Sequence, residues 1–346
     1  MKKAFLCLAI IMISLSSFAQ DELDKIIEEG IVLHDRGDYA GAIKKYDEVL
    51  AKDPGNFSAN YEKGYALLIL KRYDECIAIN KMLSEKYPDH SEMKNVWINW
   101  GSALDDQGDH EGALKIYDKG LVAFPEFYLL YYNKAITYAR ANDRDQSMKA
   151  AEDALLRKPL HPSSHNLLGL LMKGQNNIAS ALASVAFLSI EASGKRAQGN
   201  MESLDLIFGG NVKKTGKNEV TININSAMLD TTGKGDDNFT SVELVITFAA
   251  ALDSDKKYKK ETKPERLERK LKEMITMMDE IKEGRTGFFW KFYVPFVIKM
   301  KSRNYLETFS HIAYSSAGDS DNDKWLEKNA DKVNDFYGWV EKYDWD

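Results

Sequence analysis

The chain has little of several things. Among 346 residues it has two cysteines, seven prolines, six histidines and 47 basic residues against 53 acidic ones. Two cysteines cannot make a disulfide framework. A net charge of -6 leaves no overall basic footprint for general nucleic-acid binding, so no nucleic-acid partner is expected. The scarcity of proline excludes a collagen-like or proline-rich fibre, and 44% hydrophobic residues is enough to build a core rather than a disordered tail. Long apolar runs are missing too. Ala4 to Leu15 is about 12 residues, short of the roughly 20 that a membrane-spanning helix needs. No later segment does better.

That first apolar run has a different reading. Lys2 and Lys3 precede it, and Ser17-Phe18-Ala19 follows with small residues two apart, as in a secretory signal peptide. Residues 1–19 are therefore expected to be a leader cleaved after Ala19, and the protein is expected to be periplasmic or secreted. Cys7 follows bulky Phe5 and Leu6, which argues against a lipid-attachment box. Removal of the leader shifts the net charge to -8 and leaves Cys76 as the one cysteine.

What the sequence does contain is a repeat. Pro54, Pro88, Pro125 and Pro159 are spaced by 34, 37 and 34 residues. Gly30, Gly64, Gly101, Ala135 and Gly169 keep the same spacing with one further step of 34. A second small residue follows twelve positions after each of these, at Ala42, Cys76, Ala113, Ser147 and Ala181. A bulky residue recurs at Tyr46, Tyr117 and Val185, with Asn80 and Ala151 as weak matches. The stretches GDYAGAIKKYDEVLAKDP and GDHEGALKIYDKGLVAFP are its clearest copies.

This pattern resembles the tetratricopeptide repeat, a 34-residue helix-turn-helix unit. The resemblance covers residues 23–193 and implies a right-handed superhelical solenoid of about five units. In it the small residues allow the two helices of each pair to approach, and Cys76 is one of them. The fold class is expected to be all-α, with the solenoid over 20–193 and a helical C-terminal domain over 194–346. The fifth unit lacks its closing proline, and Ala179 to Ile190 is apolar on nearly every side. A helix apolar all round is buried, so residues beyond 193 are expected to cover it as a solenoid cap.

The C-terminal half carries no family signature. Helices are expected over Lys195 to Phe208, Glu219 to Leu229 and Ser241 to Leu252. Thr262-Lys263-Pro264-Glu265 reads as a capped helix start with proline in its first turn, and Leu267, Leu271, Met274, Met278 and Ile281 follow at helical spacing. An aromatic stretch, Phe288 to Phe296, comes next. Lys256 to Glu273 carries nine basic and four acidic residues, and Asp319 to Asp346 carries nine acidic and four basic. The first segment suits either an acidic surface or the chain's own acidic tail.

Chemistry-bearing motifs fail on inspection. Asn211 and Asn218 stand where a phosphate-binding loop needs glycine and Ser/Thr. His161 and His165 have the spacing of metal ligands, but Pro162 and Ser163 lie between them without the accompanying glutamate. Asp319, Asp321 and Asp323 alternate like a calcium loop, yet Lys324 and Ala330 replace its glycine and its bidentate glutamate. No catalytic, cofactor or metal site is expected, and no cofactor.

In the tetratricopeptide family the inner surface is lined from the first helix of each unit. Counting along those helices selects Ile27, Ile31, Tyr61, Tyr65, Leu68, Ile98, Leu129, Tyr132 and Ile136. Ile27 and Ile31 occupy places where some members carry lysine or asparagine to clamp a peptide carboxylate, so that clamp is not implied. The lining is apolar and tyrosine-rich, suited to an interface. Its expected occupant is a protein or peptide segment, or the chain's own C-terminal half through Phe288 to Phe296. The expected role is a non-catalytic interaction scaffold of the cell envelope. The alternatives are a carrier with an apolar ligand or lipid behind Phe288 to Phe296, and an enzyme site assembled in the C-terminal half.

Overall fold

A computed structural model of the protein describes residues 20–209, 211–216, 219–224 and 236–345. The expected leader, residues 1–19, lies outside them. The chain forms two compact units, divided at Ala150/Ala151. This division falls before the break in repeat pattern at residue 193, so the fifth helix pair belongs to the second unit.

The first unit is built from α1 (residues 20–35), α2 (Tyr39–Lys52), α3 (Phe57–Ile69), α4 (Tyr73–Lys86), α5 (Met93–Asp106), α6 (His110–Ala123) and α7 (Tyr128–Arg140), and α8 (Arg144–Arg157) straddles the division. Side chains at the helix starts explain the boundaries. Asp38, Asn56 and Asp109 accept hydrogen bonds from the backbone N–H of Gly41, Ala59 and Gly112, which satisfies donors that a helix leaves open in its first turn.

Each turn inside a pair places one residue in the left-handed region. These are Gly37, Lys71, Gly108 and Asn142, with φ between 59° and 89°. Glycine adopts that conformation freely and asparagine tolerates it, whereas Lys71 is strained by its Cβ. Lys71→Gly is therefore expected to stabilise the fold by about 0.5–1 kcal/mol, the relief of strain exceeding glycine's added unfolded-state freedom. An unchanged or lowered urea midpoint would contradict this account of the turn.

Small residues do what the repeat pattern requires. A Cβ on Gly30 would run into the Tyr46 ring, and one on Gly101 into the Tyr117 ring. Tyr46 is buried with Leu23, Ala42, Val49 and Ala59, and Tyr117 with Ala113 and Leu130. In the second pair the tyrosine is replaced by Asn80, whose Nδ2 donates to the Cys76 carbonyl at 2.8 Å. Cys76 itself is buried with Ile43, Ala66, Leu67 and Ala103, and burial pushes its thiol up to about 12. It is a packing residue, not a nucleophile.

The second unit contains α9 (Pro162–Met172), α10 (Asn177–Ile190), α11 (Gly194–Gly209), α12 (Thr240–Ala251), α13 (Lys263–Ile281), α14 (Phe288–Ser302), α15 (Leu306–Ala313), α16 (Ser320–Lys328) and α17 (Ala330–Glu341). The apolar helix α10 is covered as its composition demands, by α9, α11, α12, α14, α15 and α17. Its buried serines turn inward on the backbone: Ser180 donates to the Gly169 carbonyl and Ser189 to that of Val185, both at 2.8 Å. The helix start at Thr262 forms a full capping box with Glu265.

One expected helix is wrong. In place of Glu219 to Leu229 the chain forms strand β2 (Val220–Ile222), antiparallel to β1 (Val212–Lys214), with Val212 opposite Ile222. Val220, Thr221 and Ile222 are three successive β-branched residues, whose stiff χ1 disfavours a helix and suits a pleat. The rest of that expected helix, from residue 225 on, lies outside the described residues. Apart from this hairpin the described fold is all-α.

Candidate functional site

In the first unit, first helices of successive pairs pack directly on one another, α3 on α5 and α5 on α7. These helices carry most of the expected lining as one layer. Of the expected aliphatic lining only Ile27 is buried, while Ile31, Leu68, Ile98, Leu129 and Ile136 are half-buried.

Ile27 is 6% exposed and packs with Tyr46 and Val49. It is core and not lining, which corrects the sequence reading. Tyr46 and Val49 of α2 and Ala59 of α3 close over it. Ile31 packs half-buried on the same cluster, Leu68 on the cluster around Cys76 and Ile98 on that around Tyr117. Leu129, Tyr132 and Ile136 are half-buried along α7. Tyr61 lies against Leu83, Met93 and Val96, and burial, helped by the Glu62 charge, pushes its hydroxyl up to about 12. Tyr65 is the one ring of the set that stays open, at 38% exposure.

Polar groups surround Tyr65. The His34 ring packs on it at 5.0 Å and 31°. His34 Nε2 and the Tyr46 hydroxyl are buried with no hydrogen-bond partner among the described residues. Burial first, then the charge of Asp35, holds the Glu62 carboxyl above its ordinary range. Further along the layer, the buried Asp105 carboxylate takes the Arg140 guanidinium and lies 2.7 Å from His110 Nδ1, while Arg140 also reaches Asp106 at 2.8 Å. The Tyr117 hydroxyl lies 3.2 Å from Ser102 Oγ. The arrangement offers a peptide an open aromatic ring at Tyr65 and, further along the layer, the charged groups of Asp106 and Arg140.

Counting over the first four helix pairs stops one pair short. In the second unit a cleft of about 500 Å³ is lined by Asn166, Leu170 and Lys173 of α9 and by Arg196 and Leu206 of α11. Extending the same count to the pair that begins at Pro162 selects Asn166, Leu170 and Lys173.

The aromatic segment does not wait for a ligand. In the second unit Phe296 stacks on Trp339 and Trp345 at 5.2 and 4.6 Å, Phe292 on Trp345 at 4.7 Å, and Trp290 on Phe239 at 4.5 Å. Phe289, Tyr293 and Phe296 are buried. Beside these ring contacts, Trp290, Val294 and Pro295 also line a cleft of about 370 Å³ with Ile298 and Lys299.

The paired histidines are structural as well. His165 is fully buried, with Nε2 2.7 Å from the Pro159 carbonyl and Nδ1 2.9 Å from the Tyr293 hydroxyl, so both ring nitrogens are engaged. Asp319 caps α16 through the Asp321 N–H. In the basic stretch, Arg269 pairs with Asp253 and Glu261, and Lys270 with Asp253. Among the described residues no group of three His, Cys, Asp or Glu is placed to hold a metal ion, and no helix is long and apolar enough to cross a membrane.

Comparison with known proteins follows the repeats. Models of the tetratricopeptide repeat match residues 33–96 and 98–158. Human tetratricopeptide repeat protein 28 is 24% identical over 223 residues, which are 61% of this chain. This chain spans 9% of the length of that relative. Among solved structures, TTC0263, a tetratricopeptide-repeat protein of Thermus thermophilus, aligns at a TM-score of 0.46 and 18% identity over 53% of this chain and all of its own. Pseudomonas aeruginosa PilF aligns at a TM-score of 0.47 and 18% identity, over 55% of this chain and 83% of its own.

Proposed function

Starting from the fact that residues 33–158 are tetratricopeptide repeats, we propose that the protein is a non-catalytic scaffold that captures a protein or peptide segment on the inner layer of its first unit. One observation carries this reading. Tyr65 is open, with the His34 ring packed on it at 5.0 Å. Tyrosine adds contact area at low entropic cost. Tyr132 and Ile136 extend the surface along α7.

The leader-like residues 1–19 support export to the periplasm or beyond, and so a partner in the cell envelope. The solenoid is proposed to span residues 20–193 and a helical C-terminal domain residues 194–346. Tyr65→Ala with Tyr132→Ala is expected to weaken capture of the partner by about 30-fold or more, roughly 2 kcal/mol, with far-ultraviolet circular dichroism unchanged. A photo-crosslinker at position 65 supplies the assay, by joining the chain to its partner in cells. Undiminished crosslinking from a neighbouring site in the double variant would remove the surface from consideration.

A further inference from the structure

A cleft of about 790 Å³ opens in the second unit between α14, the start of α15 and α17. Two helix-interior residues that suit a helix poorly meet there. Pro295 lies inside α14, where it removes the N–H that would donate to the Lys291 carbonyl. Gly338 lies inside α17, and a Cβ on it would meet nothing within 4 Å. Packing therefore does not require the glycine, yet glycine is among the poorest helix formers. Its effect is to leave backbone bare at the cleft. Two departures from local preference on opposite walls of one cleft are what a binding function selects.

The wall itself is aromatic. Tyr305, Trp339 and Tyr343 line it, with Trp339 at 33° to Tyr305 and at 69° to Tyr343. Lys299, Arg303 and Lys342 stand around the opening, and among the described residues none of the three forms an ion pair. Asn334 adds an amide, and Asp335 and Asp344 add carboxylates that leave the three cations one charge in excess; Asp335 already accepts the Tyr305 hydroxyl at 2.7 Å. No valine, leucine, isoleucine or methionine lines the cleft, which disfavours an aliphatic chain. Rings set at such angles offer no flat slot for a planar heterocycle. They suit a puckered ring with C–H faces.

We propose that this cleft binds an acidic saccharide. The pyranose ring rests on the aromatic wall beside Gly338, its hydroxyls meet Asn334 and Asp335, and its carboxylate lies between Arg303 and Lys342, where charge-assisted hydrogen bonds are strongest. The site is built from residues of the second unit alone and does not depend on the scaffold reading.

Calorimetric titration of the full chain with glucuronic acid, trigalacturonic acid and N-acetylmuramic acid tests it, with maltotriose and octanoate as neutral-sugar and aliphatic-acid probes. Saturable binding of an acidic saccharide is expected, at least about tenfold tighter than either control and weakened about tenfold by Arg303→Gln with Lys342→Gln. Gly338→Met, which places a side chain in open space without strain, is expected to abolish binding while the thermal midpoint is kept. The proposal is overturned by absence of saturation with all three acids up to about 10 mM, by equal binding of maltotriose, by tighter binding of octanoate, or by binding that survives Gly338→Met.

Discussion

Tyr117→Ala is expected to destabilise the first unit by about 3–5 kcal/mol, the range for removing a large buried ring. The Tyr117 side chain is 1% exposed and fills the notch over Gly101, so its loss leaves a cavity that flanking helices cannot close without breaking the repeat register. Tyr117→Phe is expected to cost only about 1 kcal/mol, since it deletes one hydroxyl contact with Ser102. Gly101→Ala is expected to cost about 1–3 kcal/mol by overpacking against the ring. In the Tyr117→Ala background the same change should become neutral or favourable by up to about 1 kcal/mol, because alanine is the better helix former. Urea unfolding of the four proteins closes the cycle. Additive effects of Gly101→Ala and Tyr117→Ala would show that the two residues do not share one packing site.

Acid is expected to weaken the second unit through His165. Burial lowers the pKa of this imidazole to about 3, against the smaller opposing effect of its hydrogen bond to the Pro159 carbonyl. An unfolded histidine titrates near about 6.5. Between these values the unfolded chain takes up a proton that the folded chain refuses. Stability from this residue is therefore fully present above about pH 6.5 and is lost as pH falls toward 3, by up to about 1.4 kcal/mol per pH unit. His165→Gln starts less stable, having lost a fitted ring between Pro159 and Tyr293. Its urea midpoint should nevertheless fall less steeply from pH 6.5 to pH 4 than that of the parent. Parallel slopes in the two proteins would mean that His165 does not stay neutral in the fold.

Much of the first unit is legible in sequence because its signals are local. Gly30 and Gly101 each precede by 16 positions the ring that needs them, and Asp38, Asn56 and Asp109 cap helices within three residues of themselves. The left-handed turn is legible at Gly37 and Gly108 but not at Lys71, which side-chain type does not advertise. The strand at Val220–Ile222 escapes a reading that follows helical spacing across a β-branched run.

The candidate sites are less legible. Counting places Ile27 and Tyr65 on equivalent faces, yet one is core and the other open. Periodicity says which residues share a face, and it does not say how closely the neighbouring helix approaches that face. The aromatic stretch from Phe288 to Phe296 has two available destinations in sequence, and only its stacking on Trp339 and Trp345 chooses between them.

The amino-acid sequence by itself determined the repeat register, the helix ends and the need to cover the apolar helix α10, since each follows from contacts within one helix pair or from apolar surface that water cannot be left to meet. Only the tertiary structure decided that Ile27 is buried, that the aromatic segment is core, and that Pro295 and Gly338, 43 positions apart in the chain, face one cleft. Those outcomes depend on which distant helices pack together, and that choice is made by the sum of many small contacts that no single stretch of sequence contains.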